Sequence, residues 1–481
     1  MPEMRLFDTL SREIRELKPR EGDTYRFYCC GPTVYGPAHI GNFRTFVLQD
    51  VFRRTLEICG LKTFHVRNLT DVDDKTIRDS QAAGKTLTDF TEYWTKKFHK
   101  DCDSLNNLPP HKEPSAVGHI PQQVAMIEEL VEKGHAYRSD DGSVYFSVSS
   151  FPTYGKLSRL DQRELKTGAS GAITDDEYEK DSVADFALWK GRREEDGENY
   201  WESPWGQGRP GWHLECSAMC REYLGESFDL HSGGVDLVFP HHENEIAQSE
   251  ACTGASMADH WFHTTHLLVD GGKMSKSAKN FYTLADIEKA GFTASELRYV
   301  LISAHYRQPL NFVARDAEGN ESFPALQGAR QALQRIAKFE KSLKDAAGET
   351  PEFSYEDAIS LTDRGSFEDA IQALADDLNT PEAFGRIFSA MKAIKPGDLK
   401  PEEALREWKG LHTALEAMGI ELPAEEEKSE APPEIAEKAE QRWKAKQDKD
   451  WATADRLRDE VLEAGWEIKD TKEGYELCSK N

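Results

Sequence analysis

Two short segments of the chain carry side chains that suit the handling of phosphate groups. His39 opens the segment HIGN, and Lys273 and Lys276 lie in the segment KMSKS, which follows a loop with two glycines. When a carboxylate attacks the α-phosphate of ATP and pyrophosphate leaves, the negative charge that builds on the phosphate oxygens must be stabilised. An imidazole, backbone N–H groups and the point charge of a lysine ammonium can provide this. The two segments therefore hold residue types suited to such a reaction.

A second group of residues has the types and spacing of a metal site. In the segment FPHHENE, a proline can open a helix, which places His241 and Glu245 at i and i+4 on one face. Cys216 and one of the adjacent Cys29 and Cys30 can complete a set of two thiolates, one imidazole and one carboxylate. Because adjacent strand residues face opposite sides of a sheet, only one cysteine of that pair can point into the site. The spacing alone leaves the choice open.

The elements that must position these residues begin with a predicted βαβ unit. We expect a strand at residues 25–30, a helix at about 41–59 with an apolar stripe at four-residue steps, and a second strand at 63–69. Gly60 stands where a left-handed C-cap belongs. In an open parallel sheet, ligands bind outside the C-terminal ends of the strands, where helix N-termini offer unpaired N–H groups to phosphates. The predicted helix begins beside His39, so this end of the sheet is the expected site.

Further along the chain, the pattern predicts an insertion, a helical region and a small final module. The insertion should contain an amphipathic helix near 121–133 and a hairpin around 140–143, whereas spaced leucines, alanines and phenylalanines indicate a helical bundle running to about residue 418. An acidic stretch interrupted by prolines, at 421–433, indicates a linker. The final module should hold a helix near 434–463 and a hairpin at 466–478.

The predicted fold class is α/β, with a split Rossmann-like nucleotide-binding catalytic domain that contains an insertion, followed by an α-helical bundle and a small C-terminal α+β module. The expected boundaries are 1–114 for the first catalytic half, 115–205 for the insertion, 206–270 for the second catalytic half, 271–320 for the KMSKS loop and the region after it, 321–420 for the bundle, 421–433 for the linker and 434–481 for the last module.

The overall composition excludes several other classes of protein. The chain has 481 residues, enough for about three domains, and 38% hydrophobic with 30% charged residues leave no apolar run of about 20 residues to span a membrane. The start of the chain lacks the pattern of a secretory signal, so we expect a cytoplasmic protein. Eight scattered cysteines do not form a disulfide framework. A net charge of -26 means that any RNA must bind to local basic patches.

Together, in this order and on the two sides of a split α/β fold, the HIGN and KMSKS segments resemble the paired signatures of class I aminoacyl-tRNA synthetases. The resemblance implies activation of an amino acid by ATP with Mg²⁺, with His39, Lys273 and Lys276 as catalytic residues. It adds Asn42 and Ser275 to these three in binding ATP. The common first motif ends in a second histidine, where this sequence has Asn42; an asparagine can still donate a hydrogen bond.

Longer stretches, which extend the resemblance over nearly the whole chain, are similar to the cysteinyl-tRNA synthetase family; they are residues 30–35, 67–75, 208–219 and 239–248. The resemblance implies one zinc ion per chain, held by Cys30, Cys216, His241 and Glu245. Zinc favours a thiolate over a hydroxyl, so a substrate cysteine can bind as an added ligand where serine cannot, and a separate editing site becomes unnecessary. The resemblance also places five residues around the amino acid and its adenylate: Gly31, Thr33, Thr70, Trp212 and Asp236.

The final module resembles the small anticodon-recognising domain of this family, in which aromatic and arginine side chains can stack on bases of a single-stranded loop. Trp443 and Trp451 are eight residues apart, so on one helix they would lie two turns apart on nearly the same face. At that spacing we expect both to pack in the core. For Asp73 and Asp74, capping of the following helix and a direct role in the site are equally compatible with the sequence.

The function implied is ligation of L-cysteine to tRNA-Cys through a cysteinyl-adenylate, by a monomer that needs ATP and zinc. A related alternative is the cysteine ligase of mycothiol synthesis, which joins cysteine to an amino sugar and shares the catalytic half. A non-enzymatic alternative is a paralogue that binds tRNA or metal without catalysis. The C-terminal module disfavours the first alternative, and the intact zinc and lysine motifs disfavour the second.

Overall fold

In the computed structural model of the chain, the residues described are 2–160, 185–274, 280–316, 318–348, 350–424, 431–470 and 474–479. The chain folds into two units, Met1–Leu422 and Pro423–Asn481. The strands of the first unit are β1 (Arg5–Asp8), β2 (Glu13–Glu16), β3 (Thr24–Cys29), β4 (Lys62–Arg67), β5 (Ala136–Arg138), β6 (Val144–Phe146), β7 (Phe186–Gly191), β8 (Gly208–Pro210), β9 (Phe228–Gly234), β10 (Ala258–Thr264), β11 (Leu267–Val269), β12 (Gly272–Lys273) and β13 (Leu310–Phe312).

The described helices of the first unit alternate with these strands at first and then follow one another without strands between them. They are α1 (Ile40–Ile58), α2 (Asp74–Ala82), α3 (Leu87–Ser104), α4 (Ile120–Glu132), α5 (Trp212–Leu224), α6 (Glu243–Thr253), α7 (Leu284–Lys289), α8 (Ala294–Leu301), α9 (Pro324–Ala347), α10 (Tyr355–Ser360), α11 (Glu368–Ala375), α12 (Thr380–Ala393) and α13 (Pro401–Met418). The last five form the helical bundle that the sequence predicts.

A four-stranded sheet in the order β10-β9-β3-β4 forms the centre of the first unit, and its neighbouring strands are parallel. The expected βαβ unit is confirmed as β3, α1 and β4, and Gly60 has a positive φ of 91° after the end of α1. Strand β4, which follows β3 in the chain, lies on one side of the β3–β9 pair, and strand β10, which follows β9, lies on the other side. The strand order therefore reverses between β3 and β9, and such a switch point opens a crevice outside the strand ends.

The insertion contains an antiparallel sheet in the order β5-β6-β7-β8, packed with α4, and extends to β8, just past the end expected at residue 205. The amphipathic helix expected near 121–133 is α4, and the expected hairpin is the pair β5 and β6. Gly142 takes a φ of 85° in the connecting turn, a backbone conformation that side chains with a Cβ disfavour. Part of the expected insertion, residues 161–184, lies outside the described residues.

Helix α1 is joined to the rest of the first unit by buried charges. The Asp50 carboxylate accepts a hydrogen bond from Arg54 one turn later at 2.8 Å and another from Arg298 of α8. Arg298, which has no exposed surface, also donates to the backbone carbonyls of Leu105 and Met418, both at 2.7 Å. One guanidinium thus connects α1, the end of α3, α8 and the end of α13.

The second unit holds two helices and a hairpin: α14 (Pro433–Gln447), α15 (Trp451–Glu463), β14 (Trp466–Asp470) and β15 (Tyr475–Ser479). The hairpin is confirmed, but the single helix expected at 434–463 is wrong. Lys449 takes a positive φ of 61°, which ends helical geometry, and the Asp450 carboxylate accepts from the backbone N–H of Thr453 to begin a new helix. Residues 425–430 of the expected linker lie outside the described residues.

This break also corrects the expectation for the two tryptophans. Trp443 lies on α14, where its ring centroid is 6.2 Å from that of Tyr475. Trp451 is the first residue of α15 and is 59% exposed, so it does not pack in a core. The eight-residue spacing implied a shared face only if one helix carried both. Across both units, no described helix has the length and apolar character needed to cross a membrane.

The ion pair between Asp50 and Arg298, which joins α1 to α8, yields a prediction about the free energy of unfolding. Replacing Arg298 by methionine should lower the free energy of unfolding by about 3–5 kcal/mol, because a buried carboxylate then loses a charged partner. The matched control is Arg386→Met, since Arg386 is half exposed and pairs with an exposed Glu382 on its own helix. Its loss should stay below about 1 kcal/mol in urea unfolding followed by circular dichroism. Equal losses for the two variants would contradict the role of this ion pair.

Candidate active site

Four side chains expected to hold a metal come together at the switch point of the parallel sheet. Cys30 directly follows β3, Cys216 lies on α5, and His241 and Glu245 stand on either side of the start of α6. One ligand atom from each lies within 4.8 Å of the others, and all four residues are buried. Cys29, in contrast, joins the hydrophobic core against α1. The structure thus brings together one cysteine of the adjacent pair, as strand alternation requires.

The electrostatics of this cluster centre on Glu245, which has no exposed surface. One carboxylate oxygen lies 2.9 Å from Nε2 of His241 and the other lies 2.7 Å from Nε2 of His231. Burial alone would raise the pKa of Glu245, but the two histidines lower it to about 2. Burial would also lower the pKa of His241, yet the nearby Glu245 and Cys216 raise it to about 10. The carboxylate is therefore held in its charged form.

The two thiols of the cluster are in different electrostatic situations. The hydrogen bond from Cys30 lowers the pKa of Cys216 to about 6, against the effect of its burial. Burial raises the pKa of Cys30 well above its ordinary value, and the neighbouring Cys216 raises it further. Two thiols, an imidazole and a carboxylate at mutual contact fit a shared metal ion, because a cation stabilises buried thiolate and carboxylate together.

A second set of four buried residues could also hold a metal and shares two members with the first. It consists of Cys30, His231, His242 and Glu245. Nε2 of His242 lies 3.3 Å from the Cys30 sulfur. The sequence pattern missed both histidines: His242 is adjacent to a chosen residue, and His231 lies on β9 with no helical spacing to connect it to the others.

The residues expected around the amino acid line the same end of the sheet. Thr33 and Thr70 face each other in a parallel bridge just beyond β3 and β4, and the Trp212 ring stacks on that of His241 with centroids 4.4 Å apart. A Cβ on Gly31 would lie 1.7 Å from the carbonyl oxygen of Asn68, so only glycine fits there. Trp212 adjoins the metal cluster through its stack on His241, and Gly31 adjoins it by following Cys30 in the chain.

Asp236, the fifth of these residues, lies in a short helical turn after β9. Burial lowers the pKa of His39, and the carboxylate of Asp236 opposes that shift without reversing it. The two residues are therefore within electrostatic reach of one another. The metal cluster and the HIGN segment both lie beyond the C-terminal ends of the central parallel strands.

His39 and Asn42 cap α1 reciprocally. Nδ1 of His39 accepts from the backbone N–H of Asn42 at 3.1 Å, and the Asn42 side-chain oxygen accepts from the backbone N–H of His39 at 3.1 Å. Asn42 therefore satisfies one of the unpaired donors at the helix start. This gives a structural reason for an asparagine at that position of the motif.

The KMSKS segment starts next to this helix end. Lys273 lies on β12, which pairs with β11. A Cβ on Gly41 would lie 2.5 Å from the terminal methyl of Met274, so the two signature segments are in direct contact. Ser275 and Lys276 lie outside the described residues, and their places in the site stay predictions.

Asp73 and Asp74 have separate roles in the structure. Asp73 caps α2, accepting from the backbone N–H of Thr76 at 2.6 Å. Asp74 pairs with Lys190 at 3.0 Å and with Arg209, which lie on strands β7 and β8 of the insertion. One aspartate thus begins the helix, and the other connects that helix to the insertion.

Two family models match separate parts of the chain. Residues 16–321 match the family model described as tRNA synthetases class I (C) catalytic domain, and residues 370–422 match the DALR domain. A Cysteine--tRNA ligase of Opitutus terrae is 50% identical over 481 residues, with 98% of each chain covered. A Cysteine--tRNA ligase of Brachyspira hyodysenteriae is 40% identical, with 100% of each chain covered.

Among solved structures, Mycobacterium tuberculosis methionyl-tRNA synthetase in complex with methionyl-adenylate matches with a TM-score of 0.56, covering 82% of this chain and 90% of that chain. A ternary complex of Agrobacterium radiobacter LeuRS with tRNA matches with a TM-score of 0.55 over 84% of this chain and 85% of that chain. Sequence identities of 13% and 11% limit these two likenesses to the fold.

The metal cluster yields a prediction with an internal control. Cys216→Ala should reduce the bound metal, measured by elemental analysis of purified protein, from about one ion per chain to nearly none, because a thiolate ligand is lost. Cys220 is equally buried and lies one turn further along α5, outside both ligand sets. Cys220→Ala should retain the metal. Full retention by the Cys216 variant would remove this residue from the ligand set.

Proposed function

The chain belongs to the family of cysteine--tRNA ligases, which are class I tRNA synthetases, and on this basis we propose that it activates L-cysteine with ATP and transfers it to tRNA-Cys. The observation that carries the proposal is the buried cluster of two cysteines, a histidine and a glutamate, at the same end of the parallel sheet as the start of α1. The cluster offers recognition of a thiol, and the adjoining helix start offers recognition of phosphate. An enzyme that forms cysteinyl-adenylate needs both in one crevice.

We propose that one zinc ion per chain is held by Cys30, Cys216, His241 and Glu245, since this donor set is typical of four-coordinate zinc. When bound, zinc supplies a Lewis acid that prefers the thiolate of a substrate cysteine to the hydroxyl of serine. Trp212 stacks on the ligand His241 and closes one side of the pocket.

The other four proposed substrate contacts provide space and polar groups around the amino acid. Gly31 lets backbone approach closely, Thr33 and Thr70 offer hydroxyls, and Asp236 offers a carboxylate to the substrate ammonium group. Together these residues orient the substrate carboxylate towards ATP, which enters with Mg²⁺.

In the first reaction, a carboxylate oxygen of cysteine bonds to the α-phosphorus of ATP, and the bond to the bridging oxygen breaks as pyrophosphate leaves. Nδ1 of His39 accepts from the backbone N–H of Asn42, so a neutral His39 carries its proton on Nε2 and can donate a hydrogen bond to a phosphate oxygen. Burial lowers the pKa of His39 and favours this neutral form. Lys273, Ser275 and Lys276 would contact the phosphates from the opposite side.

In the second reaction, a hydroxyl of the terminal tRNA ribose attacks the cysteinyl carbonyl carbon, and AMP leaves. We propose that residues 434–481 bind the anticodon. The exposed ring of Trp451 supports this, because aromatic side chains stack on unpaired bases. The expectation of a cytoplasmic monomer belongs to the same proposal, and size-exclusion chromatography with light scattering would check the oligomeric state.

The two alternatives receive no support from the relatives. An amino-sugar ligase would share the catalytic half, but the similarity to cysteine--tRNA ligases covers 98–100% of the chain and so includes the final module. A non-catalytic paralogue would have no need of the reciprocal cap between His39 and Asn42 beside an intact metal cluster.

The central test is cysteine-dependent exchange of pyrophosphate into ATP. Cysteine should support exchange with a kcat/KM at least about 10⁴-fold above that of serine, because a site built for one ligand group rejects an analogue that lacks it. Charging should then follow with tRNA-Cys and not with an amino-sugar acceptor. Exchange without charging of tRNA-Cys, together with ligation of cysteine to the sugar, would favour the alternative enzyme.

The lysine role is tested separately from metal binding. Lys276→Ala should leave the metal content unchanged but reduce cysteine-dependent exchange about 100-fold, because a cation that stabilises the departing phosphates is lost. Lys289, an exposed lysine at the end of α7, supplies the control, and Lys289→Ala should exchange at the wild-type rate. Wild-type exchange by both variants would remove the role assigned to Lys276.

A further inference from the structure

Two adjacent buried histidines, His241 and His242, could each serve as a histidine ligand of the metal cluster. His241 directs Nε2 towards Glu245 at 2.9 Å, and His242 directs Nε2 towards the Cys30 sulfur at 3.3 Å. Each belongs to a different one of the two overlapping ligand sets, and both sets include Cys30 and Glu245. The ligand atoms alone therefore allow two positions for the ion. A feature outside the cluster must decide between them.

The ring nitrogen of His241 that does not face Glu245, Nδ1, has a specific partner. Nδ1 of His241 lies 2.9 Å from Nδ1 of His213, and both residues are 2% exposed. His213 stands on α5, three positions before Cys216, so one helix carries a ligand and the partner of another ligand. The Phe186 ring of β7 meets the His213 ring edge-on at 5.9 Å, so the insertion fixes its orientation.

A histidine that binds a metal through Nε2 must carry its proton on Nδ1, and that proton needs an acceptor when it is buried. We infer that His213 is a positioning residue that selects His241 as the metal ligand, because Nδ1 of His213 accepts the Nδ1 proton of His241. This inference rests on the zinc site of the proposed function and goes beyond it, since it names a residue that is not itself a ligand.

The hydrogen bonds of His242 are compatible with a different role, that of a hydrogen-bond donor to a ligand sulfur. Nδ1 of His242 lies 2.7 Å from Nε2 of His263, and Nδ1 of His263 lies 2.7 Å from the Thr9 hydroxyl. If Thr9 donates a hydrogen bond to His263, and His263 donates one to His242, then His242 carries its proton on Nε2. That N–H group donates a hydrogen bond to the Cys30 thiolate. In this pattern His241 binds the metal, and His242 supports a ligand sulfur.

The experiment compares zinc release from matched variants of the full-length, zinc-loaded protein. His213→Leu should speed the loss of zinc to a coloured chelator at least about tenfold, because an outer hydrogen-bond partner is removed. His213→Asn places an amide oxygen near the Nδ1 position, so its release rate should stay within about threefold of wild type. His263→Leu removes another buried histidine, whose hydrogen bond reaches a ligand only through His242, and it should speed zinc release less than His213→Leu does.

Cobalt substitution gives a second readout that does not depend on activity. The set with His241 contains two cysteines and the set with His242 contains one, so the near-ultraviolet thiolate-to-cobalt absorption of the wild type should correspond to two thiolates. Circular dichroism of the zinc-free variants, with wild-type spectra expected, shows that any rapid release reflects lost positioning of His241 and not a failure to fold.

The inference would be overturned if His213→Leu released zinc at the wild-type rate, or if His263→Leu released zinc faster than His213→Leu. A cobalt absorption that corresponds to one thiolate would also overturn it. These outcomes are distinct from a failure of the proposed function. If the wild-type protein retains zinc but does not exchange pyrophosphate in response to cysteine, the assigned reaction fails while the release rates still decide the role of His213.

Discussion

The buried charge of Glu245 is the constraint on which the centre of this protein depends. A carboxylate without exposed surface loses the stabilisation of water, a cost of several kcal/mol unless positive or hydrogen-donating groups surround it. Here His231 from β9 contacts one oxygen, and His241 from the turn before α6 contacts the other. Strand β9 and helix α6 must therefore keep their relative positions. The thiols from β3 and α5 then meet the same carboxylate, so four elements are fixed around one group.

A comparable ionic junction fixes the nucleotide side of the crevice. Helix α1 carries His39 at its start and Asp50 three turns later. Through Asp50 and Arg298 the helix is bonded to α8 and to the last turn of the bundle, so the start of α1 cannot shift independently of the bundle. The proposed phosphate site at this helix start would need such rigidity, because reaction rates depend steeply on the alignment of reacting atoms.

The insertion contributes to the site from outside the parallel sheet. Lys190 and Arg209 on its strands pair with Asp74 at the start of α2. Phe186 on the same sheet packs against His213, which in turn contacts a metal-cluster histidine. The inserted sheet is therefore paired with the start of α2 and packed against α5. The same contacts give the insertion a part in orienting the metal cluster.

Local patterns in the sequence were sufficient for the β3-α1-β4 unit, for helix α4 and its following hairpin, and for the hairpin of the second unit. Periodicity and turn residues act over a few positions, and each of these elements buries its apolar face as its own pattern requires. Motif residues also identified the chemistry, because thiolates, imidazole and carboxylate at suitable spacing suit a metal whatever surrounds them. The spacing could not choose between Cys29 and Cys30, and it missed His231 and His242.

Only the tertiary structure decided those points, together with the break at Lys449 that separates Trp443 from Trp451. Which cysteine faces the cluster depends on which side of the sheet receives α5 and α6, and these helices lie almost 200 residues further along the chain. His231 became a partner of Glu245 because β9 pairs with β3 in one register. The sequence by itself determined the elements and the reactive residues. The packing of distant elements determined which of those residues meet, because contact between them depends on burial and register and not on spacing along the chain.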